Sequence, residues 1–327
     1  MTYEKPYRID VHHHIVTRDY LAALDRVGIR KTIGFNFPEW SPQISLDFME
    51  QNRIRKAILS VSTPGVFFGD AAFAADLARQ CNENAARVKS DYPDRFGFFA
   101  VMPMPVADAA VKEAVFVLDT LKADGVGLLA SSGGCFLGDP EFDELMSELN
   151  RRKAVVSVHP NIHPSSRELK LETPVPIVEF VFDTTRAAVN LVLTGTLERY
   201  PDIRWILAHA GGTVPYVAMR IEHYPGVRKN APLGPIAYLR RFYYDTALSC
   251  SPYTMACLQE FVEPSRILLG SDFPFAPASL VTEEIREAYS DYHIFNETTR
   301  QMVEETNASA LFEQKKISAV NEHKLNI

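Results

Sequence analysis

The segment best suited to bind a metal runs from Arg8 to Val16, with the sequence Arg-Ile-Asp-Val-His-His-His-Ile-Val. Its apolar residues predict a strand, and successive strand side chains point to opposite faces. We therefore expect His12 and His14 on one face with Asp10 below them, while His13 points the other way. Two imidazoles at this spacing can share one divalent cation. A purification-tag remnant or a histidine-rich surface strand would give a similar sequence.

Three further polar residues that can bind metals, His159, His209 and Asp272, follow other short apolar runs. Each alone has an ordinary explanation, because buried histidines are often satisfied by hydrogen bonds and an aspartate often caps a helix. Packing does not readily explain four strands that all end in such residues. We assign the metal ligands as His12, His14, His159 and Asp272. An open coordination position is typical of a catalytic site, and His209 is then the free acid or base beside the metal.

The predicted site holds one ion. A second ion would need a bridging anion, such as a modified lysine at a central strand end. The run from Gly125 to Ser132 contains no Lys, Glu or Asp. Three imidazoles and one carboxylate suit Zn²⁺, with Mn²⁺ as the alternative.

The elements that must position these residues alternate along the chain, short apolar runs with longer amphipathic stretches. This alternation predicts strand–helix units around a parallel sheet. The predicted strands are Ile9 to His14, Ala57 to Val61, Phe96 to Val101, Gly125 to Leu129, Val155 to His159, Trp205 to His209, Phe242 to Asp245 and Ile267 to Gly270. Predicted helices include Asp70 to Asp91, Asp108 to Ala123, Pro140 to Arg152, Val175 to Tyr200 and Ser251 to Val262.

Eight such units favour a regular or distorted (β/α)8 TIM barrel, whose active site lies at the carboxyl ends of the strands. The predicted organisation is a single barrel domain over residues 1–313 and a polar tail over 314–327. After the first helix, the segment from Arg30 to Pro42 is predicted to be an irregular aromatic loop. It would act as a lid over a flat substrate, with Phe37 and Trp40 as substrate-binding residues, or be an ordinary surface loop.

The composition favours a small-molecule substrate. The chain has 327 residues, 46% of them apolar, and a net charge of -7, which argues against nucleic acid or an anionic membrane as partner. No apolar run approaches the roughly 20 residues needed to cross a bilayer. The four cysteines show no Cys-X-X-Cys pair and the first residues resemble no signal peptide, so we expect a cytoplasmic protein with reduced thiols.

Four motifs together resemble the amidohydrolase superfamily, in the branch of aminocarboxymuconate-semialdehyde, resorcylate and methylsalicylate decarboxylases. They are Asp10-Val11-His12-His13-His14, Val158-His159-Pro160, Ala208-His209-Ala210-Gly211-Gly212 and Gly270-Ser271-Asp272-Phe273-Pro274. The resemblance extends from Ile9 to about Phe312 and implies the same four ligands, with His209 handling a proton or metal-bound water. The stretches from Ile58 to Gly65 and from Phe182 to Arg186 are similar to members called 6-methylsalicylate decarboxylase.

The resemblance also implies a role for Arg220, at the position where the branch carries an arginine that reaches a neighbouring subunit's site. A guanidinium fork suits a substrate carboxylate, so we expect a homodimer. The alternative is a surface ion pair of Arg220 with Glu222 or Glu198.

Two reactions fit this set of residues. The first is metal-dependent, non-oxidative decarboxylation of a small hydroxylated aromatic acid, in which His209 or Asp272 protonates the ring carbon and CO₂ leaves. The second is hydrolysis of a lactone or amide by a metal-bound hydroxide. A third possibility is a catalytically silent binding protein on the same scaffold. The aromatic loop and Arg220 favour the decarboxylase.

Overall fold

The computed structural model describes residues 7–169, 172–287 and 294–313. Its strands are β1 (Arg8–His14), β2 (Lys31–Thr32), β3 (Phe35–Asn36), β4 (Ile54–Ser60), β5 (Phe96–Val101), β6 (Gly125–Leu129), β7 (Ser131–Ser132), β8 (Cys135–Phe136), β9 (Val155–His159), β10 (Arg204–Leu207), β11 (Tyr243–Asp245) and β12 (Ile267–Leu268). Its α-helices are α1 (Arg18–Arg26), α2 (Pro42–Gln51), α3 (Ala71–Asp91), α4 (Ala107–Asp119), α5 (Asp143–Arg151), α6 (Val175–Leu193), α7 (Thr196–Arg199), α8 (Val214–Glu222), α9 (Pro235–Leu239), α10 (Pro252–Phe261), α11 (Ala278–Arg286) and α12 (Glu297–Gln301).

Eight parallel strands form one sheet in the order β1, β4, β5, β6, β9, β10, β11 and β12. The sheet closes on itself, because the amide of Val11 donates to the carbonyl of Leu269 (2.9 Å) and the amide of His14 to that of Phe273 (2.7 Å). These bonds join β1 to the segment that follows β12. The predicted (β/α)8 barrel is therefore confirmed, and all eight predicted strands are present.

A bulge in β1 changes the predicted direction of one side chain. Asp10 pairs with Ala57 and His13 with Leu59, so three steps along β1 oppose two along β4. An extra residue of this kind interrupts the alternation of faces. The prediction that Asp10 lies below His12 and His14 is wrong. Its carboxylate lies on the side of His13 and accepts a hydrogen bond from His13 Nδ1 at 2.9 Å.

The lower part of the barrel interior is filled by apolar side chains. One cluster joins residues from six barrel strands with two from the segment 307–313, and it comprises Ile9, Val11, Ile58, Phe99, Val155, Ile206, Leu268, Ala308 and Leu311. Side chains from strands around the whole barrel meet only in its interior. The interior is thus a packed core, and the open end is left to the polar groups at the carboxyl ends of the strands.

The helices begin largely where the sequence predicts. Asp70 caps α3 by accepting from the amide of Phe73 at 2.9 Å, and Ser251 caps α10. One predicted helix is two: the stretch from Val175 to Tyr200 divides into α6 and α7 at Gly195, whose φ of 76° is left-handed. Glycine adopts that conformation without steric cost, so it ends one helix and begins the next.

The loop after α1 is more regular than predicted. It contains the two-stranded antiparallel hairpin of β2 and β3, in which Thr32 pairs with Phe35. Ile33 and Gly34 form the turn, with φ of 47° and 88°. A two-residue hairpin turn of type I′ has positive φ angles at both central residues, as here.

The division into a domain over 1–313 and a tail over 314–327 stays a prediction, because the tail lies outside the described residues. Within the described ranges, every helix is too short or too polar to span a lipid bilayer.

Candidate metal centre and active site

The five candidate residues His12, His14, His159, His209 and Asp272 meet at the carboxyl end of the barrel, and all are buried. His12 and His14 come from β1 and His159 ends β9. The predicted strand from Trp205 to His209 ends earlier, at Leu207, so His209 lies beyond it. This histidine begins a short 3-10 turn after β10 and has a φ of 55°, and Asp272 follows β12 with a φ of 60°. Left-handed backbone at two non-glycine residues is typical of functional sites.

The donor atoms of three residues form a tight group. His12 Nε2 lies 3.0 Å from His14 Nε2 and 3.2 Å from Asp272 Oδ1. His14 Nε2 lies 2.8 Å from the same carboxylate oxygen. The histidines of β1 and the aspartate after β12 are thus brought together as predicted, although His14 and Asp272 are 258 positions apart in the sequence.

His159 and His209 complete the group. The His159 ring lies 5.2 Å from that of His12 and 5.0 Å from that of His14, between centroids. Single donor atoms of His12, His159, His209 and Asp272 all lie within 4.8 Å of one another. His209 therefore stands as close to the cluster as the assigned ligands, so the division between ligand and free base stays a prediction.

The four imidazoles are oriented alike. In His12, His159 and His209, Nδ1 faces an oxygen that only accepts, which places the proton on Nδ1 and leaves the Nε2 lone pair facing the site. His14 Nδ1 faces the Ser60 carbonyl and also the Ser60 hydroxyl at 3.1 Å, which can donate or accept. The pairs are His12 with Asp245 Oδ2 (2.8 Å), His14 with the Ser60 carbonyl (3.2 Å), His159 with the Pro160 carbonyl (2.8 Å) and His209 with the Ala247 carbonyl (2.9 Å).

These lone pairs fit a cation. The Nε2 atoms of His12 and His14 lie 3.0 Å apart. Their lone pairs repel each other unless a proton or a metal ion lies between them. Nε2 of His209 is buried without a hydrogen-bond partner in the described part of the chain. Because a buried polar group without a partner is costly, His209 Nε2 calls for a partner in the site, whether an ion or a substrate. Imidazole nitrogen and carboxylate oxygen are suitable ligands for a divalent transition metal.

Electrostatics support this fit. Burial lowers the pKa of His12, but the carboxylates of Asp245 and Asp272 outweigh it and raise the pKa to about 10. Burial raises the pKa of Asp272, yet hydrogen bonds from His12 and His14 hold it well below its usual range. Burial, reinforced by His14 and His12, lowers the pKa of His159 well below its ordinary value. The site thus attracts positive charge. Asp272 is ionised and His159 is neutral, as metal ligands must be, and a metal ion would displace the proton that the carboxylates favour on His12.

Sequence reasoning missed Asp245. Its Oδ2 orients His12, while its Oδ1 accepts from the amides of His209 (2.9 Å) and Ala247 (3.1 Å). It thereby holds the ring of His12 and the backbone of His209. The signal was available, because Asp245 ends the seventh predicted strand and barrel residues at that position are functional candidates.

Glycines shape the turn after His209. A Cβ on Gly211 would lie 2.4 Å from the Tyr244 ring, and one on Gly212 would lie 2.0 Å from the carbonyl oxygen of Val181. The backbone therefore packs closely against α6 and β11. These glycines allow that packing around His209.

A cavity of about 550 Å³ opens directly on the cluster, with His159, His209 and Asp272 in its wall. Its other walls are largely apolar and include Phe35, Ile177, Phe180, Phe275 and Leu280. The described lining residues include no Lys or Arg. The described cavity is thus suited to a flat apolar ring.

Two predicted substrate-binding residues lie elsewhere. Phe37 packs edge-on against Tyr20 with centroids 6.5 Å apart, and Trp40 donates its indole N–H to Ser45 Oγ at 2.9 Å. Both belong to the described residues, and neither lines the cavity. The loop instead presents Phe35. The β2–β3 hairpin, which the sequence reading lacked, ends at Asn36, and both Phe37 and Trp40 lie in the irregular segment between β3 and α2.

Arg220 is exposed on α8 and does not line this chain's cavity. Neither alternative partner binds it, since Glu222 pairs with Arg228 and Glu198 accepts from the Tyr238 hydroxyl at 2.5 Å. Its contact with a second subunit stays a prediction.

Comparison with known proteins assigns the family. A profile described as amidohydrolase matches residues 9–314. The chain belongs to the amidohydrolase family. It is 38% identical over 316 residues to a 6-methylsalicylic acid decarboxylase of Penicillium expansum, covering 93% of this chain and 96% of that protein. The resemblance to the decarboxylase branch is thereby confirmed.

Solved structures of this family share the fold. A crystal structure of an amidohydrolase II is 32% identical, with a TM-score of 0.88 over 94% of this chain and 99% of the other. A dihydroxybenzoic acid decarboxylase of Polaromonas sp. JS666, solved with manganese and an inhibitor, is 22% identical. It has a TM-score of 0.78 and covers 94% and 97% of the two chains.

Proposed function

We propose that this protein is a metal-dependent, non-oxidative decarboxylase of a small hydroxylated aromatic acid similar to 6-methylsalicylate, releasing CO₂ and a phenol. One observation carries the proposal: an apolar, aromatic-walled cavity opens directly on a buried cluster of imidazoles and a carboxylate. The similarity to the Penicillium enzyme supports it.

The proposed ligands are His12, His14, His159 and Asp272, whose donor atoms or rings converge at the cavity floor. When bound, the ion supplies positive charge that holds the substrate's carboxylate and adjacent hydroxyl and lowers the cost of charge in the transition state. Zn²⁺ is the proposed metal because of the three imidazoles. Manganese in the Polaromonas structure supports Mn²⁺ as the alternative.

The proposed proton donor is His209, with Asp272 as the alternative. His209 Nδ1 is anchored on the Ala247 carbonyl, and its Nε2 has no partner in the described part of the chain. Asp272 Oδ1 is already engaged by two imidazole nitrogens, at 2.8 and 3.2 Å. This difference favours His209 as the group that holds a proton over the ring.

In the proposed reaction, the ring carbon that carries the carboxylate accepts one proton. The bond from that carbon to the carboxylate carbon then breaks, and its electron pair stays with the ring. Phe35, Phe180 and Phe275 are proposed to hold the ring, in place of Phe37 and Trp40. Flat rings pack well against aromatic side chains, and the apolar walls exclude water.

The proposed assembly is a homodimer in which Arg220 of one subunit binds the substrate carboxylate in the other. The absence of Lys and Arg from the described cavity wall supports a cation from outside the chain. Exposed Tyr216 and Met219 on the same helix support an interface there. The proposed compartment is the cytoplasm, supported by Cys81, Cys135 and Cys257, which form no disulfide in the described part of the chain.

An isotope experiment tests the reaction type. Incubation of 6-methylsalicylate with the metal-loaded enzyme in D₂O should place one deuterium on the carbon that lost CO₂, with phenol and CO₂ in equal amounts. Opening of lactones or amides with ¹⁸O from water in the product, with every hydroxybenzoate untouched, would favour the hydrolase instead.

A further inference from the structure

The third histidine of the β1 triplet lies away from the metal cluster in a buried polar network. His13 and Asp10 are both fully buried. The Asp10 carboxylate accepts four hydrogen bonds, from the His12 amide (3.1 Å), the Ser271 amide (3.1 Å), the Ser271 hydroxyl (2.5 Å) and His13 Nδ1 (2.9 Å). It thereby ties β1 to the residue that immediately precedes Asp272.

The network continues outward from His13 to the loop after α1. The Trp40 indole N–H can only donate, so Ser45 Oγ accepts from it at 2.9 Å. The Ser45 hydroxyl then donates to His13 Nε2 at 2.9 Å, and His13 Nδ1–H donates to Asp10. Every bond runs in the same direction, from Trp40 to the carboxylate. Hydrogen bonds aligned in this way strengthen one another.

The backbone around Asp272, to which these hydrogen bonds lead, is strained. Asp272 has a φ of 60°, a conformation that persists in a non-glycine residue only when its surroundings fix it. Its amide donates to the His12 carbonyl at 2.8 Å, and the Ser271 hydroxyl accepts from the Phe273 amide at 3.1 Å. Behind this segment, the Phe273 ring stacks on that of Phe48 at 4.0 Å.

We propose that Trp40, Ser45, His13 and Asp10 form a positioning relay that sets the backbone at Ser271 and so aims the Asp272 carboxylate at the metal. The inference rests on the proposed metal centre and assigns these four residues a role through Asp272, not at the substrate. It also gives Trp40 a role at the base of the loop whose tip presents Phe35 to the cavity.

The two tryptophans of the chain provide a matched experiment. Trp40→Phe removes an indole N–H that donates into the relay, whereas Trp205→Phe removes one without a partner in the described part of the chain. Ser45→Ala breaks the relay at its middle. For each variant we would measure the metal dissociation constant by chelator competition at 25 °C, the Tm of the metal-free protein, and kcat and KM.

Ser45→Ala should weaken metal binding about tenfold and Trp40→Phe about threefold, since partners behind metal ligands typically contribute 10- to 100-fold to affinity. The value of kcat should fall with metal affinity, and KM should stay near the wild-type value. Trp205→Phe should leave metal affinity unchanged. If both relay variants lower Tm but bind the metal as tightly as Trp205→Phe does, the network is only structural and the proposal is overturned. If the wild type binds no divalent metal, the proposed function itself fails.

Discussion

At the residue scale, chemistry is set by which ring nitrogen faces the site. All four imidazoles anchor Nδ1 on an oxygen, so four Nε2 atoms meet beside one carboxylate. Their surroundings differ. His12 is held by the buried carboxylate of Asp245, whereas His209 is held by a main-chain carbonyl and keeps an unpaired Nε2 in the described structure. This contrast supports the proposed division between His12 as a metal ligand and His209 as the proton donor.

Substitution of two histidines tests that division. His209→Asn should keep close to one equivalent of metal per chain while kcat falls by two or more orders of magnitude, because general acid–base groups contribute roughly 10² to 10⁴ in rate. His159→Ala should lose both metal and activity. Elemental analysis of protein purified without chelator and steady-state kinetics measure the two effects. Metal loss in His209→Asn together with retention in His159→Ala would reverse the roles.

At the element scale, buried carboxylates fasten the strand ends. Asp183 of α6 accepts from the Ser131 hydroxyl at 3.1 Å and from the Asn161 amide at 2.8 Å. It therefore joins one helix to the segments after β6 and β9, next to His159. Burial raises the pKa of Asp183 to about 6, although the two hydrogen bonds oppose the shift.

This raised pKa makes stability depend on pH. The folded protein binds the Asp183 proton more tightly than the unfolded chain does, so the contribution favours folding at low pH. That contribution is lost as pH rises from about 4 through about 6, and a shift of two units corresponds to at most about 3 kcal/mol. The Tm of the wild type relative to Asp183→Asn should fall from pH 4.5 to pH 7.5. If the Tm of the wild type and that of Asp183→Asn changed with pH in parallel, Asp183 would not be the group responsible. Both proteins have the same metal site, so its effects cancel in the difference between the two Tm values.

At the scale of the whole molecule, the described residues that line the cavity include no Lys or Arg. Arg220 lies exposed on α8. In the proposed assembly, a substrate carboxylate would be bound by the metal and by Arg220 of a second subunit. Tyr216, on the same helix as Arg220, is largely exposed and is available for a contact with that subunit.

A homodimer should therefore be seen by sedimentation or light scattering. Arg220→Ala should raise KM for a carboxylate substrate by about tenfold or more while Tm changes little, because a guanidinium–carboxylate bond stabilises binding by roughly 1.5 to 3 kcal/mol. Arg228→Ala is the matched control, since Arg228 pairs with Glu222 near the same helix. A monomer whose Arg220→Ala variant keeps wild-type kinetics would remove this role.

The sequence by itself determined the barrel and the convergence of its polar strand ends. Periodicity and length mark the eight strands, and the geometry of a parallel barrel brings residues such as His14 and Asp272 to one end whatever the loops do. Local signals also located helix starts such as Asp70 and Ser251. These features depend on short-range patterns, which a sequence displays directly.

Only the tertiary structure decided how the site is supported. The bulge in β1 turned Asp10 away from the metal side. In the loop after α1, Phe35 of the β2–β3 hairpin lines the cavity, whereas Phe37 and Trp40 pack elsewhere. Asp245 acquired its role through contact with His12, 233 residues away in the sequence. Such outcomes depend on register and on side chains that meet across the barrel. Alternation along a strand cannot specify them, because one extra residue reverses the face of every side chain that follows.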